Sequence, residues 1–357
     1  MNIMFFDATR EWSGGANRLF LCCRELIRRG HRIVVCTLPG NEMSGRLAQE
    51  GIPYFNLDPR SDINLLMLPE IIRKIREHRI DILDIHSPKF YWLGALAAKV
   101  AGRPVIITRN VPFRKKGIKR SLNRLLYARL ADRVVAISDR IRRELIEDYR
   151  LDDRTVEVIY DGLDTSRFEM PSPSGDLSGV TVGVLSRLVF GKGLECLVDA
   201  MPGIVREIPA VRFVIAGTGP LEENLRRRVA ELNLGEKVVF TGFRSDIPRL
   251  LSELDITVVP SPQEGMSMSA LESMAAGRPV VATSGGGLID IIRNNETGVI
   301  VEPDDPVALA SGVITLLQSD YRTVGMKARL IVKEKFELQG TIDRFESLIS
   351  SLAGRRR

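Results

Sequence analysis

Two glutamates with seven residues between them stand in Ser261-Pro-Gln-Glu264-Gly-Met-Ser-Met-Ser-Ala-Leu-Glu272-Ser-Met-Ala-Ala-Gly277-Arg-Pro279. The segment follows an apolar run, Ile256–Val259, and reads as a helix beginning near Ser267. The segment Gly265–Ser269, with Met266, Ser267 and Met268 inside it, would then present free backbone N–H groups at a helix N-terminus, which suits a phosphate or sugar oxygen. Carboxylates accept from vicinal hydroxyls and amides donate to phosphate oxygens, so the two kinds of group together suit a phosphorylated sugar. Taken singly, each glutamate also fits a solvent-facing position on a capped helix.

A second constellation is Val184-Leu-Ser-Arg187-Leu-Val-Phe-Gly-Lys192-Gly193. A strand ends here, and two cations follow before the next helix. They are either ordinary surface charges or a cleft-lining pair able to neutralise a diphosphate. Glycines at Gly217 and Gly242, the latter followed by Phe243, leave two further strand ends. None of these loops is a GxGxxG fingerprint, so an NAD enzyme is poorly supported. In the first half, Gly14 and Gly15 open a helix after the first strand, which lets a phosphate approach the backbone. His86 ends a strand, and Arg109-Asn110 follow another. A lone histidine there is more often structural.

The elements that must position these groups alternate regularly. Ile3–Asp7, Arg32–Thr37, Ile82–His86, Val105–Thr108 and Val134–Ile137 read as buried strands, separated by amphipathic stretches such as Arg18–Arg29 and Leu66–Glu77. After the Pro/Ser/Gly-rich stretch at 169–176 the alternation restarts, with strands at Thr181–Leu185, Arg212–Ala216, Val238–Thr241, Ile256–Val259, Val280–Ala282 and Gly298–Val301. Runs of this kind predict βαβ units and parallel sheets. The expected division is a first domain over 1–168 completed by a C-terminal helix at about 338–357, and a second over 177–335. In doubly wound sheets ligands sit beyond the carboxyl ends of the strands, so a cleft between the domains is the expected site.

Composition narrows the class. The chain has 357 residues, 44% hydrophobic and 27% charged, which suits a globular protein of two domains. No run reaches the roughly 20 apolar residues of a membrane span, and no signal peptide opens the chain, so a cytoplasmic protein is expected. Cys22, Cys23, Cys36 and Cys196 lack metal-ligand spacing, and three widely spaced histidines give no metal site. Residues 1–170 carry 30 Lys+Arg against 22 Asp+Glu; the remainder carry 21 against 23. The excess concentrates in a segment with Arg114, Lys115, Lys116, Lys119, Arg120, Arg124 and Arg129, no acid, and leucines at helical spacing. It suits either an anionic membrane surface or a helix packed on its own sheet with a solvated basic face. Without a recognition helix, zinc module or aromatic-interleaved strand, nucleic acid is not expected.

The glutamate pair, with Pro-Ser before it and Met-Ala-Ala-Gly-Arg-Pro-Val-Val-Ala after it, resembles the donor signature of glycosyltransferase family 4. Ser-Arg187, four residues, Lys192-Gly is similar to that family's pyrophosphate clamp. The resemblance implies the GT-B fold, two Rossmann-like domains, and a retaining transferase using a nucleotide sugar. It implies Glu272 on the ribose, Glu264 on hydroxyls of the transferred sugar, and the amides of Met266–Met268 near sugar and distal phosphate. It further implies Gly217, Gly242 and Phe243 around the base, Gly14 and Gly15 near the diphosphate, and His86 on the donor sugar, with Arg109 and Asn110 on the acceptor side. A UDP-sugar is the first expectation, with GDP- and ADP-sugars as alternatives, and no metal or other cofactor. The acceptor would be a lipid-linked or lipopolysaccharide-type glycan, with Lys115, Lys116, Lys119 and Arg120 meeting the membrane. The chain departs from the family pattern with Met266-Ser267 for Phe-Gly, Asn110 for His and Asp290 for Glu. A nucleotide-sugar epimerase of the same fold, or a non-catalytic sugar-binding protein, is the competing reading.

Overall fold

The computed structural model describes residues 1–59, 64–110, 117–171, 179–263, 265–285 and 287–354, without the side chain of Ile118. Glu264, Lys115 and Lys116 therefore lie outside the described residues, as do Arg114 and most of the 169–176 stretch. The chain divides into two units, Met1–Gly162 with Gln339–Arg357, and Leu163–Leu338.

In the first unit, short β-branched runs become strands, the central ones buried on both faces as helix-covered parallel sheets require. They are β1 (Asn2–Phe6), β2 (Arg32–Thr37), β3 (Tyr54–Asn56), β4 (Ile82–Ile85), β5 (Val105–Arg109), β6 (Arg133–Ala136) and β7 (Val156–Val158). Their spatial order is β3-β2-β1-β4-β5-β6-β7, all parallel, with Phe5 opposite Val35 on one side and Asp84 on the other. Strand order reverses between β1 and β4, which makes their carboxyl ends the switch point of this sheet. Helix α1 (Gly14–Arg28) leaves β1, and α4 (Pro88–Val100) leaves β4. The others are α2 (Glu42–Gln49), α3 (Leu68–Glu77), α5 (Ile118–Leu125), followed by a π-helical turn at Leu126–Leu130, and α6 (Asp139–Glu147).

In the second unit β8 (Thr181–Leu185), β9 (Arg212–Ala216), β10 (Val238–Gly242), β11 (Ile256–Val259), β12 (Val280–Thr283) and β13 (Gly298–Val301) form a parallel sheet in the order β10-β9-β8-β11-β12-β13. Its switch point lies between β8 and β11. The helices are α7 (Leu194–Glu207), α8 (Glu222–Glu231), α9 (Ile247–Ser252), α10 (Met268–Ala275), α11 (Pro306–Gln318) and α12 (Tyr321–Lys335).

The last helix, α13 (Leu338–Gly354), belongs with the first unit. Phe345 stacks on Phe5 with ring centroids 6.0 Å apart, and Arg29 at the end of α1 pairs with Asp343 and Glu346. One boundary differs from the sequence expectation. Residues 163–168 join the second unit rather than the first, because Leu163 exchanges backbone hydrogen bonds with Phe336 and Leu338 at 2.8 and 3.0 Å. Arg329 and Arg278 then donate to the carbonyls of Met170 and Pro171 at 2.7 and 2.8 Å, holding this segment on the second unit.

Candidate functional site

In the second unit, four loops meet around the carboxyl ends of β8 and β11. Arg187 and Lys192 lie on the loop leaving β8, Arg187 exposed and Lys192 half-buried. Gly217, just past β9, has φ +140°, and a Cβ there would stand 1.8 Å from the Ser186 carbonyl oxygen. Only glycine lets that turn press on the Arg187 backbone. Gly193 plays the same part below Lys192: φ is +67°, and a Cβ would meet the Pro260 carbonyl oxygen at 2.0 Å. The cation loop is thus fixed against both the β9 turn and the segment leading to α10. Gly242 ends β10 and bonds through its carbonyl to Gly217 N at 2.8 Å. Phe243, next in the chain, is 70% exposed, and Phe190 on the cation loop 77%.

Helix α10 starts at Met268 with Ser267 as its N-cap, the serine oxygen accepting from Ala270 N. Gly265, Met266 and Ser267 are buried and Met268 is half-buried. The helix start anticipated near Ser267 is where α10 begins. Glu272 lies one turn further on, half-buried. Burial pushes its carboxyl up to about 7, against a smaller downward pull from Arg167. The sign of the linkage follows. Below the ordinary carboxylate value the group is neutral folded or unfolded and contributes no difference; from there up to about 7 the unfolded chain gives up its proton while the folded one keeps it, so stability falls, and the loss is complete once pH exceeds about 7. Glu272→Gln is expected to leave the melting temperature unchanged near pH 4 and to raise it above pH 7. Thermal melts at the two pH values check this.

In the first unit, Ser13 caps α1 by accepting from Ala16 N, with Gly14 and Gly15 in the first turn. A Cβ on Gly15 would lie 3.9 Å from Asn110 Nδ2. Across the switch point His86, 7% exposed, follows β4 directly. Its Nε2 is 2.9 Å from Asp84 Oδ2. Asn110 donates to the His86 carbonyl at 3.4 Å and accepts from Arg18 at 3.3 Å. Arg18 in turn lies 2.7 Å from Asp161, both nearly buried. Burial pushes the Asp161 carboxyl up, while Arg18 and His86 pull it down. Gly15, Arg18, His86, Asn110 and Asp161 therefore form one polar cluster at the carboxyl ends of β1 and β4.

Two family models cover most of the chain: Glycosyltransferase Family 4 over residues 12–167 and Glycosyl transferases group 1 over 179–319. EpsD of Bacillus subtilis is 30% identical over 288 residues, 74% of this chain and 75% of EpsD. The chain is a family 4 glycosyltransferase. The UDP-Gal:alpha-D-GlcNAc-diphosphoundecaprenol alpha-1,3-galactosyltransferase of Escherichia coli is 25% identical over 79% of this chain and 78% of its own. Among solved structures, Anabaena HepE in complex with UDP superimposes with a TM-score of 0.87 at 24% identity, covering 99% of this chain and all of HepE. That likeness, with the two parallel sheets, establishes the GT-B fold.

One of the acceptor-side residues in this glycosyltransferase sits elsewhere than expected. Arg109 does not face an acceptor or a membrane: it is fully buried, paired with Glu144 at 2.7 Å and with Tyr127 Oη at 3.1 Å, its guanidinium over the rings of Tyr127 and Tyr149. The physical reason is that its counter-charge Glu144 and the rings of Tyr127 and Tyr149 lie in the interior and satisfy the guanidinium there. Asn110 is half-buried and tied into the polar cluster. Lys119 and Arg120 are exposed on α5, Arg120 donating to the Asp148 carbonyl at 2.7 Å. Leu122 and Leu125 on the same short helix are 42% and 50% exposed.

Sequence reasoning passed over Arg18, which it placed in an amphipathic helix, and Asp161. Their spacing of 143 positions gave no local signal. Among the described residues no group of three or more His, Cys, Asp or Glu is placed to hold a metal ion, and no helix is long and apolar enough to cross a membrane.

Proposed function

We propose that the protein transfers a sugar from a nucleotide-sugar donor, with retention at the anomeric carbon, to a lipid-linked or lipopolysaccharide-type glycan. The observation that carries this reading is the convergence at the β8/β11 switch point: a two-cation loop, the capped N-terminus of α10 and the Glu272 carboxyl. In this reading Arg187 and Lys192 stabilise the leaving diphosphate, and the amides of Met266–Met268 approach its distal phosphate and the sugar. Glu272 accepts from the ribose hydroxyls and Glu264 from hydroxyls of the transferred sugar. Gly217, Gly242 and the exposed ring of Phe243 border the base. Fixed donors aimed at developing charge are the largest catalytic contribution open to such a site. The leaving phosphate takes the acceptor proton on the same face, so no protein nucleophile is needed, and the cations serve where a metal would. In the first unit, Gly14 and Gly15 leave the α1 N-terminus open to a phosphate, and His86 meets a sugar hydroxyl.

Anabaena HepE has been crystallised in complex with UDP-glucose, and the E. coli relative is named for a diphosphoundecaprenol acceptor. These two likenesses support a UDP-sugar and a polyprenol-linked acceptor here. Calorimetry with UDP, GDP and ADP, followed by NMR of the product's anomeric proton, tests donor and stereochemistry together; binding of none of the three, or an inverted product, would overturn the reading.

Membrane attachment is assigned to α5, whose exposed Lys119, Arg120 and Arg124 accompany the exposed Leu122 and Leu125. Each cation contributes about 1 kcal/mol at an anionic surface. The expected result is flotation with phosphatidylglycerol vesicles that is lost on Lys119→Glu/Arg120→Glu/Arg124→Glu and in high salt. Flotation indifferent to lipid charge would refute it.

A further inference from the structure

His86 is hydrogen-bonded through one ring nitrogen and unpartnered at the other. Its Nε2 faces Asp84 Oδ2 at 2.9 Å, and Asp84 is 1% exposed. The other carboxylate oxygen accepts from Thr108 Oγ1 at 2.7 Å, so Asp84 is itself fixed. Phe5 meets the imidazole edge-on at 5.8 Å. His86 Nδ1 is buried and has no hydrogen-bond partner among the described residues. A carboxylate has only lone pairs to offer, so the nitrogen facing it must carry the proton. In neutral imidazole the other nitrogen is then a bare acceptor.

We infer that Asp84 is a positioning residue that holds His86 as the Nε2–H tautomer, so that Nδ1 presents a lone pair to a sugar hydroxyl. The role of the hydroxyl rests on the function proposed above; the tautomer does not. A buried nitrogen left without a partner is unfavourable, and a hydroxyl donating to it removes that cost while Asp84 prevents the ring from turning its N–H toward the ligand. The arrangement parallels the carboxylates that fix ring tautomers at other histidine sites.

The protein has three histidines, so selective 15N-histidine labelling with His31→Gln and His78→Gln variants identifies the His86 signals. Two-bond proton–nitrogen correlations of the free wild-type protein, at a pH where the ring is neutral, are expected to show protonated Nε2 and unprotonated Nδ1. Asp84→Asn, whose amide N–H can donate to Nε2, is expected to shift the ring toward the Nδ1–H form. An Nδ1–H wild-type ring, or an unchanged tautomer in Asp84→Asn, overturns the inference. The ligand arm uses whichever of UDP-glucose, UDP-galactose and GDP-mannose binds by calorimetry. The Nδ1 signal should move with the nucleotide sugar and stay put with the corresponding nucleoside diphosphate, and Asp84→Asn should weaken the sugar-dependent part of binding at least tenfold. A bound nucleotide sugar that leaves Nδ1 unmoved overturns the hydroxyl assignment. If none of the three binds, the donor reading fails, and the free-protein spectrum still decides the tautomer.

Discussion

Replacing Arg187 or Lys192 by alanine is expected to lower kcat by about 10²–10³-fold each, with little change in folding stability. The stability half follows from position. Arg187 is exposed and Lys192 half-buried, so truncating either removes little packed volume from the interior. The catalytic half follows from charge: a diphosphate gains negative charge as the sugar leaves, and a cation held in place for that moment stabilises the transition state more than the ground state. The loop is held in place, since Gly217 packs on the Ser186 carbonyl and Gly193 on that of Pro260. The double variant should fall short of the product of the single losses, because two cations on one leaving group act as a unit. Single-turnover rates with saturating donor read this directly. Wild-type rates in both single variants would remove the pair from the chemistry.

The second large effect is on stability. Arg109→Ala is expected to destabilise the protein by about 3–5 kcal/mol, because it leaves the Glu144 carboxylate buried without its counter-charge. For a unit of this size that corresponds to a melting temperature lower by roughly 10 °C. Arg109→Lys should recover only part, since a point charge on a flexible stem cannot both meet Glu144 and lie over Tyr127 and Tyr149. The double change Arg109→Met with Glu144→Leu should be far less harmful than Arg109→Ala alone, as it removes both charges from the interior. Calorimetric melts of the three variants check the ordering. A harmless Arg109→Ala would show that the pair is not desolvated as the geometry requires.

The contrast between these two sites shows what could be read from the sequence. The central strands were legible because each is a β-branched run buried on both faces. The three-residue edge strands β3 and β7 were not: Tyr54 and Asn56 are exposed, so no apolar run marks them. The start of α10 was legible because its signal is local, a serine cap that follows a buried strand. The elevated carboxyl of Glu272 was not, because it depends on burial by distant elements. Arg109 was placed on the acceptor side by the family resemblance of Arg109-Asn110; its partner lies 35 positions away on α6. The same long range hid the Arg18–Asp161 pair and the hydrogen bonds that assign Leu163 to the second unit.

That α13 completes the first unit has a consequence for how the protein is made. Phe5, on the first strand, reaches its buried place only when Phe345 stacks on it, and Ile342, Leu348, Ile349 and Leu352 bury with it. A nascent chain emerges at about 5–20 residues per second, so β1 waits on the order of ten seconds or more for its partner. The second unit, unbroken from Leu163 to Leu338, has all its strands outside the ribosome before α13 follows. The order of synthesis thus makes the first unit to emerge the last to close.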